Sequence, residues 1–204
     1  LVYGYTGGTS FEAVAAGIAG DPGFGLIIGL VFLMAGLAFK ISAAPFHMWT
    51  PDVYQGAPTP VTAFLATASK MGAFALVIRV MLEPFADIVD SWRQIVMLLA
   101  VVSMVWGSLA AIWQTNIKRL MAYSSIGHMG FALVGVAAGS QAGVAGCLVY
   151  LATYVVMNLG AFALILSMKR GGEPVEAISD LAGLARARLP MALALLVIFF
   201  SMAG

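Results

Sequence analysis

Long apolar runs, separated by short polar connections, dominate the chain. Five runs are long enough to cross a membrane as helices, and a sixth begins near Leu189. None shows the alternation, over roughly ten residues, of strands in a membrane barrel. We therefore predict an all-α, polytopic membrane helix bundle that occupies residues 1–204 as a single transmembrane domain. The five complete predicted spans are Phe24–Trp49, Pro60–Leu82, Arg93–Trp113, Leu120–Gly139 and Gly143–Met168.

The first span is too long to be one straight helix. From Phe24 to Gln55 it would measure about 48 Å, against a bilayer core of about 30 Å. Pro45 also lacks the backbone donor that a continuous helix needs. We predict a break within residues 40–46, followed by a short amphipathic half-helix and a turn into the second span. The alternative is a simple proline kink in a tilted helix.

The composition is that of a membrane protein. Hydrophobic residues make up 62% of the 204 residues and charged residues 9%, whereas soluble domains carry about 25% charged residues. A soluble enzyme, a nucleic-acid-binding protein and a disordered chain are therefore excluded. The sequence begins at Leu1 and its last apolar run is unfinished, so we expect it to be part of a longer chain.

The charges of the connections predict the orientation of the bundle. Residues 1–23 and the connection after the second span are mainly acidic, whereas Lys118 and Arg119 follow the third span. The connection 169–188 holds four Lys or Arg residues. Because basic connections tend to stay in the cytoplasm, we predict that the chain starts outside and that 169–188 is cytoplasmic. Trp92 and Trp113 flank the third span, and we predict that they lie at the two membrane interfaces; the alternative is that they pack inside the protein.

Two lysines and one histidine lie inside the apolar runs. Lys40 comes just before the predicted break, and Lys70 and His128 lie near the middle of the second and fourth spans. A lysine at the membrane centre costs about 2.5–3.5 kcal/mol on insertion scales, so a functional site is the first interpretation. Snorkelling to an interface is the alternative for the lysines, and a hydrogen-bonded core role is equally open for His128. For His47, in the half-helix, we expect a packing role.

These residues suit ion movement better than electron transfer. The sequence has no Cys or His cluster with metal-ligand spacing, no dinucleotide-binding glycine motif and no phosphate-binding loop. We therefore predict no metal site. We predict that Lys40, Lys70 and His128 form one polar row along which protons pass.

Two segments resemble the antiporter-like subunits of respiratory complex I. They are Phe39–Val61, which reads FKISAAPFHMWTPDVYQGAPTPV, and Asn116–Gly130, which reads NIKRLMAYSSIGHMG. Subunits L and M of that family usually lack the Asp-Val-Tyr-Gln-Gly segment and the Ala-Thr-Ala-Ser-Lys segment that ends at Lys70. These segments therefore favour the third sister subunit, and the resemblance extends over essentially the whole sequence.

The resemblance implies a fourteen-helix bundle built from two inverted five-helix repeats, in which the six spans are helices seven to twelve. It places Lys40 and Lys70 at the lysines of helices seven and eight, and His128 at a histidine of helix ten, all on the proton pathway. The helix-five glutamate that would pair with Lys40, and the helix-twelve lysine, would lie outside this sequence.

The resemblance also implies a function. The chain would belong to a membrane-arm subunit that translocates protons across the bacterial inner membrane, coupled to NADH oxidation and quinone reduction elsewhere in the complex. No cofactor is expected in this chain; NADH, FMN, iron–sulfur clusters and quinone are expected in partner subunits. The expected partners are subunit M, the small membrane subunits and the lipid bilayer, without nucleic acid. The alternatives are a subunit of an Mrp-type cation/proton antiporter and a structural membrane spacer, which two mid-membrane lysines disfavour.

Overall fold

The computed structural model describes residues 1–18, 23–170 and 172–203, and helices dominate these ranges. A small antiparallel hairpin of β1 (Lys169–Arg170) and β2 (Glu173–Pro174) pairs Lys169 with Pro174. The all-α prediction is confirmed. The helices are α1 (Val2–Thr6), α2 (Phe11–Ile18), α3 (Phe24–Ile41), α4 (Trp49–Gly56), α5 (Thr59–Ala66), α6 (Ala68–Leu82), α7 (Val89–Ile112), α8 (Ile117–Ala137), α9 (Gln141–Ser167), α10 (Leu184–Ala187) and α11 (Leu189–Ala203).

The helices that can cross a membrane agree with the predicted spans. Within the described ranges, 5 helical stretches are long and apolar enough, and a shorter apolar helix, Leu189–Met202, lies where the sixth span was predicted. The polytopic membrane helix bundle is therefore confirmed, whereas the short helices α1 and α2 were not predicted. The 5 stretches are Phe24–Ile41, Thr59–Leu82, Ala86–Ile112, Ile117–Ala137 and Gln141–Ser167.

The first span is broken between α3 and α4, as predicted. Ser42 ends α3 in the left-handed conformation, with φ 64°. Its N–H donates to the carbonyl oxygen of Phe39 at 3.1 Å, and the N–H of Ala43 donates to that of Ala38 at 2.8 Å. These two bonds form a Schellman motif, which most often has glycine at the left-handed position. The half-helix predicted after the break is α4.

Two side chains form hydrogen bonds with backbone groups at the break. The N–H of Ala44 donates to Oγ of Ser103 on α7 at 2.8 Å. The indole Nε1 of Trp49 donates to the carbonyl oxygen of Phe39 at 3.0 Å. Non-helical backbone is tolerated at membrane depth where the freed groups find partners inside the protein. The break is therefore stabilised by hydrogen bonds to the surrounding protein.

Helices α7 and α8 pack so closely that their backbones are in contact. A Cβ atom added at Gly130 would lie 2.7 Å from the carbonyl oxygen of Ala100, and one added at Gly107 would lie 2.8 Å from that of Tyr123. Small residues allow such a close approach between membrane helices. Helix α8 is also the centre of the bundle, because 67% of its span is buried, against 28–39% for the other four.

The two basic connections lie at the same end of the bundle. The N–H of Ile117 donates to the carbonyl oxygen of Glu176, and the N–H of Ile178 donates to that of Thr115, both at 2.8 Å. The buried Nζ of Lys118 pairs with Oε1 of Glu176 at 2.8 Å. The two basic connections therefore lie on one side of the membrane, as the charge pattern predicted. That this side is the cytoplasmic one stays a prediction.

The two tryptophans that flank the third span differ in environment. Trp92 is fully buried and its Nε1 donates to the carbonyl oxygen of Phe85 at 3.0 Å. Trp113 is 84% exposed. The interface prediction is therefore wrong for Trp92, whose indole packs inside the protein and has its one donor satisfied by backbone.

Candidate functional site

Lys70 is the buried cation of the second span. It lies in the first turn of α6, directly after an opening of the helix at Thr67, and only 2% of it is exposed. Its Nζ donates to Oγ of Ser125 on α8 at 2.5 Å and lies 5.7 Å from the centre of the Tyr54 ring. An aromatic face at this distance stabilises an ammonium group. Lys70 is therefore held inside the bundle and does not snorkel to an interface.

Ser125 connects Lys70 to α9. The hydroxyl oxygens of Ser125 and Tyr154 are 2.6 Å apart, and both residues are fully buried. The hydroxyl of Tyr154 also donates to the carbonyl oxygen of Ala66 at 3.0 Å. Three helices thus contribute to one buried hydrogen-bonded chain, which ends on the backbone of the second span.

His128 lies about one turn beyond Ser125 on α8, so the two side chains share a face of that helix. Its Nδ1 is 2.7 Å from the hydroxyl oxygen of Tyr150, and its ring centre is 5.3 Å from that of Tyr154. His128 is 7% exposed. The structure therefore brings Lys70 and His128 to the same tyrosine-bearing face of α9.

Lys40 is not part of this network. It lies in the last turn of α3, just before the break, and its side chain is exposed at the surface of the described residues. A cation at a helix C-terminus is favoured by the partial negative charge of the free carbonyl groups. The structure does not bring Lys40 into contact with Lys70 or His128, and its place on a proton path stays a prediction.

His47 lies in the break and packs between aromatic rings. Its ring centre is 6.0 Å from that of Trp106 and 6.5 Å from that of Tyr123. These contacts agree with the packing role expected from the sequence.

Sequence reasoning missed the polar residues of α9, among them the tyrosine that is hydrogen-bonded to Ser125. Tyr150, Tyr154 and Asn158 recur at every fourth position of the apolar helix α9, so they form one polar stripe. Asn158 is fully buried, and its Nδ2 donates to the carbonyl oxygen of Tyr154 at 3.0 Å. This spacing is the signal from which the stripe could have been found.

The fold and the site together define a class of protein: a multi-pass membrane helix bundle with a broken helix and ionisable side chains held in its interior. The chain belongs to the family described as NADH:quinone oxidoreductase/Mrp antiporter transmembrane proteins, whose family model matches residues 1–204. This is the family to which the two motif segments pointed.

Curated relatives within this family are considerably longer than the chain. The chain is 59% identical to NADH-quinone oxidoreductase subunit N of Paramagnetospirillum magneticum over 100% of its own length and 43% of the relative. It is also 59% identical to the subunit N of Beijerinckia indica, with the same coverage. The chain therefore spans about 43% of the length of these relatives. Their names agree with the preference for the third sister subunit.

Solved structures share the fold. A chain of respiratory complex I from Thermus thermophilus with bound aureothin matches 98% of this chain and 42% of its own length, at 39% identity and a TM-score of 0.76. A chain of the Mrp complex from Dietzia sp. matches 100% of this chain and 38% of its own length, with a TM-score of 0.84 at 22% identity. At that identity the second match shows the fold alone.

Proposed function

We propose that the chain is the central part of a subunit that translocates protons in the membrane arm of an NADH:quinone oxidoreductase of the bacterial inner membrane. NADH oxidation and quinone reduction take place in partner subunits, which also hold the FMN, the iron–sulfur clusters and the quinone. Subunit M and the small membrane subunits are the proposed neighbours. The 59% identity to proteins named subunit N supports this assignment over the antiporter alternative.

The observation that carries the proposal is the burial of Lys70 within a polar chain of side chains. Ordinary membrane helices avoid a central lysine because its insertion is unfavourable. Here the ammonium is surrounded by a serine hydroxyl and an aromatic ring, at a point where the helix is open. Such a group can gain and lose a proton without contact with lipid, and a purely structural spacer has no use for it.

The proposed path runs laterally through the bundle. Lys70 exchanges protons with His128 along the face that α8 and α9 share, where Ser125 is hydrogen-bonded to Lys70 and Tyr150 to His128. We further propose that Lys40, beside the break that separates α3 from α4, is the other end of this path. In this scheme the charge on one member of the row controls the proton affinity of the next.

Removal of the Lys70 amine tests the proposal. In the complete complex, reconstituted into liposomes, we expect Lys70→Ala to lower NADH-driven proton uptake by about tenfold or more, because a positioned proton-transfer group typically contributes 10²–10⁴-fold. Quinone reduction should fall with it, because the two processes are coupled. Lys40→Ala should behave in the same way.

The matched control is Lys169→Ala, which removes an exposed lysine from the connection after α9. It should pump as the wild type does. NADH–ferricyanide activity and native gels show that each complex is assembled. A wild-type rate of NADH-driven proton uptake in Lys70→Ala would overturn the proposal, and the same result in Lys40→Ala alone would remove Lys40 from the path. Sodium-dependent proton exchange by the full-length subunit alone, independent of NADH, would favour the Mrp-type antiporter instead.

A further inference from the structure

Tyr154 occupies the centre of the buried chain and contacts two helices other than its own. Its hydroxyl group is 2.6 Å from Oγ of Ser125 on α8 and 3.0 Å from the carbonyl oxygen of Ala66 on α5. The residue is fully buried. A buried tyrosine hydroxyl normally has one hydrogen-bond partner, but this hydroxyl has two, Ala66 and Ser125, which are 59 residues apart in the chain.

The direction of each hydrogen bond in the chain follows from the number of available protons. A carbonyl oxygen only accepts, so the single proton of the Tyr154 hydroxyl is donated to Ala66. The Tyr154 oxygen must then accept the proton of Ser125, and the Ser125 oxygen accepts from Nζ of Lys70 at 2.5 Å. The chain therefore runs in one direction, from the ammonium group to the backbone of α5.

The backbone at the end of this chain is open. Thr67 separates α5 from α6 with φ −114° and ψ −85°, and its N–H turns back to the carbonyl oxygen of Phe64 at 3.3 Å. The last carbonyl groups of a helix need partners outside the helix, and Tyr154 supplies one to Ala66. Lys70 follows within the first turn of α6, so the geometry of this opening sets where its side chain starts.

We infer that Tyr154 is a positioning residue for Lys70: one hydroxyl group holds both the opened turn from which Lys70 projects and the serine that receives its ammonium group. This inference rests on the proposed role of Lys70 in proton translocation and extends it to a residue that itself neither gains nor loses charge. Tyr154 thereby joins α5, α8 and α9 at the one point where all three determine the placement of the ammonium group.

Tyr154→Phe tests the inference, because it removes both hydrogen bonds and keeps the ring. In the complete complex, hydrogen–deuterium exchange of amides in residues 64–71 should become about fivefold faster, the factor expected from the loss of one hydrogen bond of ordinary strength. NADH-driven proton uptake should fall as well. The control is Thr153→Val, which removes a hydroxyl group from the preceding position of α9, where it bonds to carbonyl oxygens of its own helix.

A second variant separates the two roles of the hydroxyl group. Ser125→Ala disconnects Lys70 but leaves the bond between Tyr154 and Ala66 in place, so it should lower proton uptake without faster exchange in residues 64–71. The inference would be overturned if hydrogen–deuterium exchange of residues 64–71 were unchanged in Tyr154→Phe, or changed equally in Thr153→Val. Normal proton pumping by Ser125→Ala would also overturn it. Normal pumping by Lys70→Ala would instead overturn the proposed function. If Lys70→Ala is impaired and Tyr154→Phe pumps normally, only the inference fails.

Discussion

The hydrogen bond between Ser103 and the break in the first span leads to a quantitative prediction. Oγ of Ser103 accepts from the N–H of Ala44 at 2.8 Å, and the two residues are 0% and 1% exposed. Ser103→Ala leaves this amide buried without its partner, and such a loss costs about 1–3 kcal/mol. At room temperature that free energy corresponds to an increase of roughly 5- to 150-fold in local opening of the break. The effect should be confined to residues 43–47.

Hydrogen–deuterium exchange of the complete complex measures this opening directly. The matched control is Ser108→Ala on the same helix. The hydroxyl group of Ser108 is exposed and donates to the carbonyl oxygen of Met104, one turn earlier in that helix, at 2.7 Å. Ser108→Ala should leave the exchange of residues 43–47 unchanged. If Ser103→Ala exchanged no faster than the wild type there, the assignment of Ser103 as the residue that stabilises the break would be refuted.

Two further predictions follow from packing and from orientation. Gly130→Leu should destabilise the full-length subunit by about 1–3 kcal/mol in denaturant unfolding, because the leucine side chain meets the backbone of α7. Gly146→Leu is the control, because position 146 faces open space and the change should have little effect. Equal losses of stability in the two variants would contradict the close packing of α7 and α8. Ala185→Cys, in the exposed part of the connection 169–188, should react with an impermeant thiol reagent only from the cytoplasmic side, and Asp87→Cys only from the opposite side. Cys147 is buried and should not react, so labelling of Ala185→Cys from the periplasm alone would reverse the predicted topology.

The membrane spans and the first break were predictable because their signals are local. Apolar runs separated by turn-forming residues gave the positions of the five long helices, although the first ends at Ile41 and not at Trp49 because of the break. The third span begins as a helix at Val89, before its apolar run at Arg93, because backbone hydrogen bonding continues outside the hydrocarbon core. Pro45 and the excess length of the first stretch predicted the break, since a proline removes one bond and the bilayer limits the length.

The opening in the second span could not be predicted in the same way. The segment from Ala63 to Lys70 contains no proline or glycine, so nothing local marks Thr67 as a helix end. The bond that supports the opening comes from Tyr154, which is 88 positions away from Ala66. The hydropathy pattern likewise located Lys70 in the membrane but did not identify Ser125 as the residue that receives it. Contacts of this kind depend on how helices pack, which a periodic pattern does not encode.

The backbone contact between α7 and α8 makes this helix pair more rigid than the interrupted helix that carries Lys70. Helices that touch at Gly107 and Gly130 cannot slide or roll past one another without a collision of main-chain atoms, so the pair behaves as a rigid frame. Ser103, Ser125 and His128 are fixed to that frame. Lys70, by contrast, is carried by a helix that is interrupted just before it. In the proposed proton translocation, any displacement should therefore be a movement of Lys70 relative to Ser125 and His128, which stay fixed on α8.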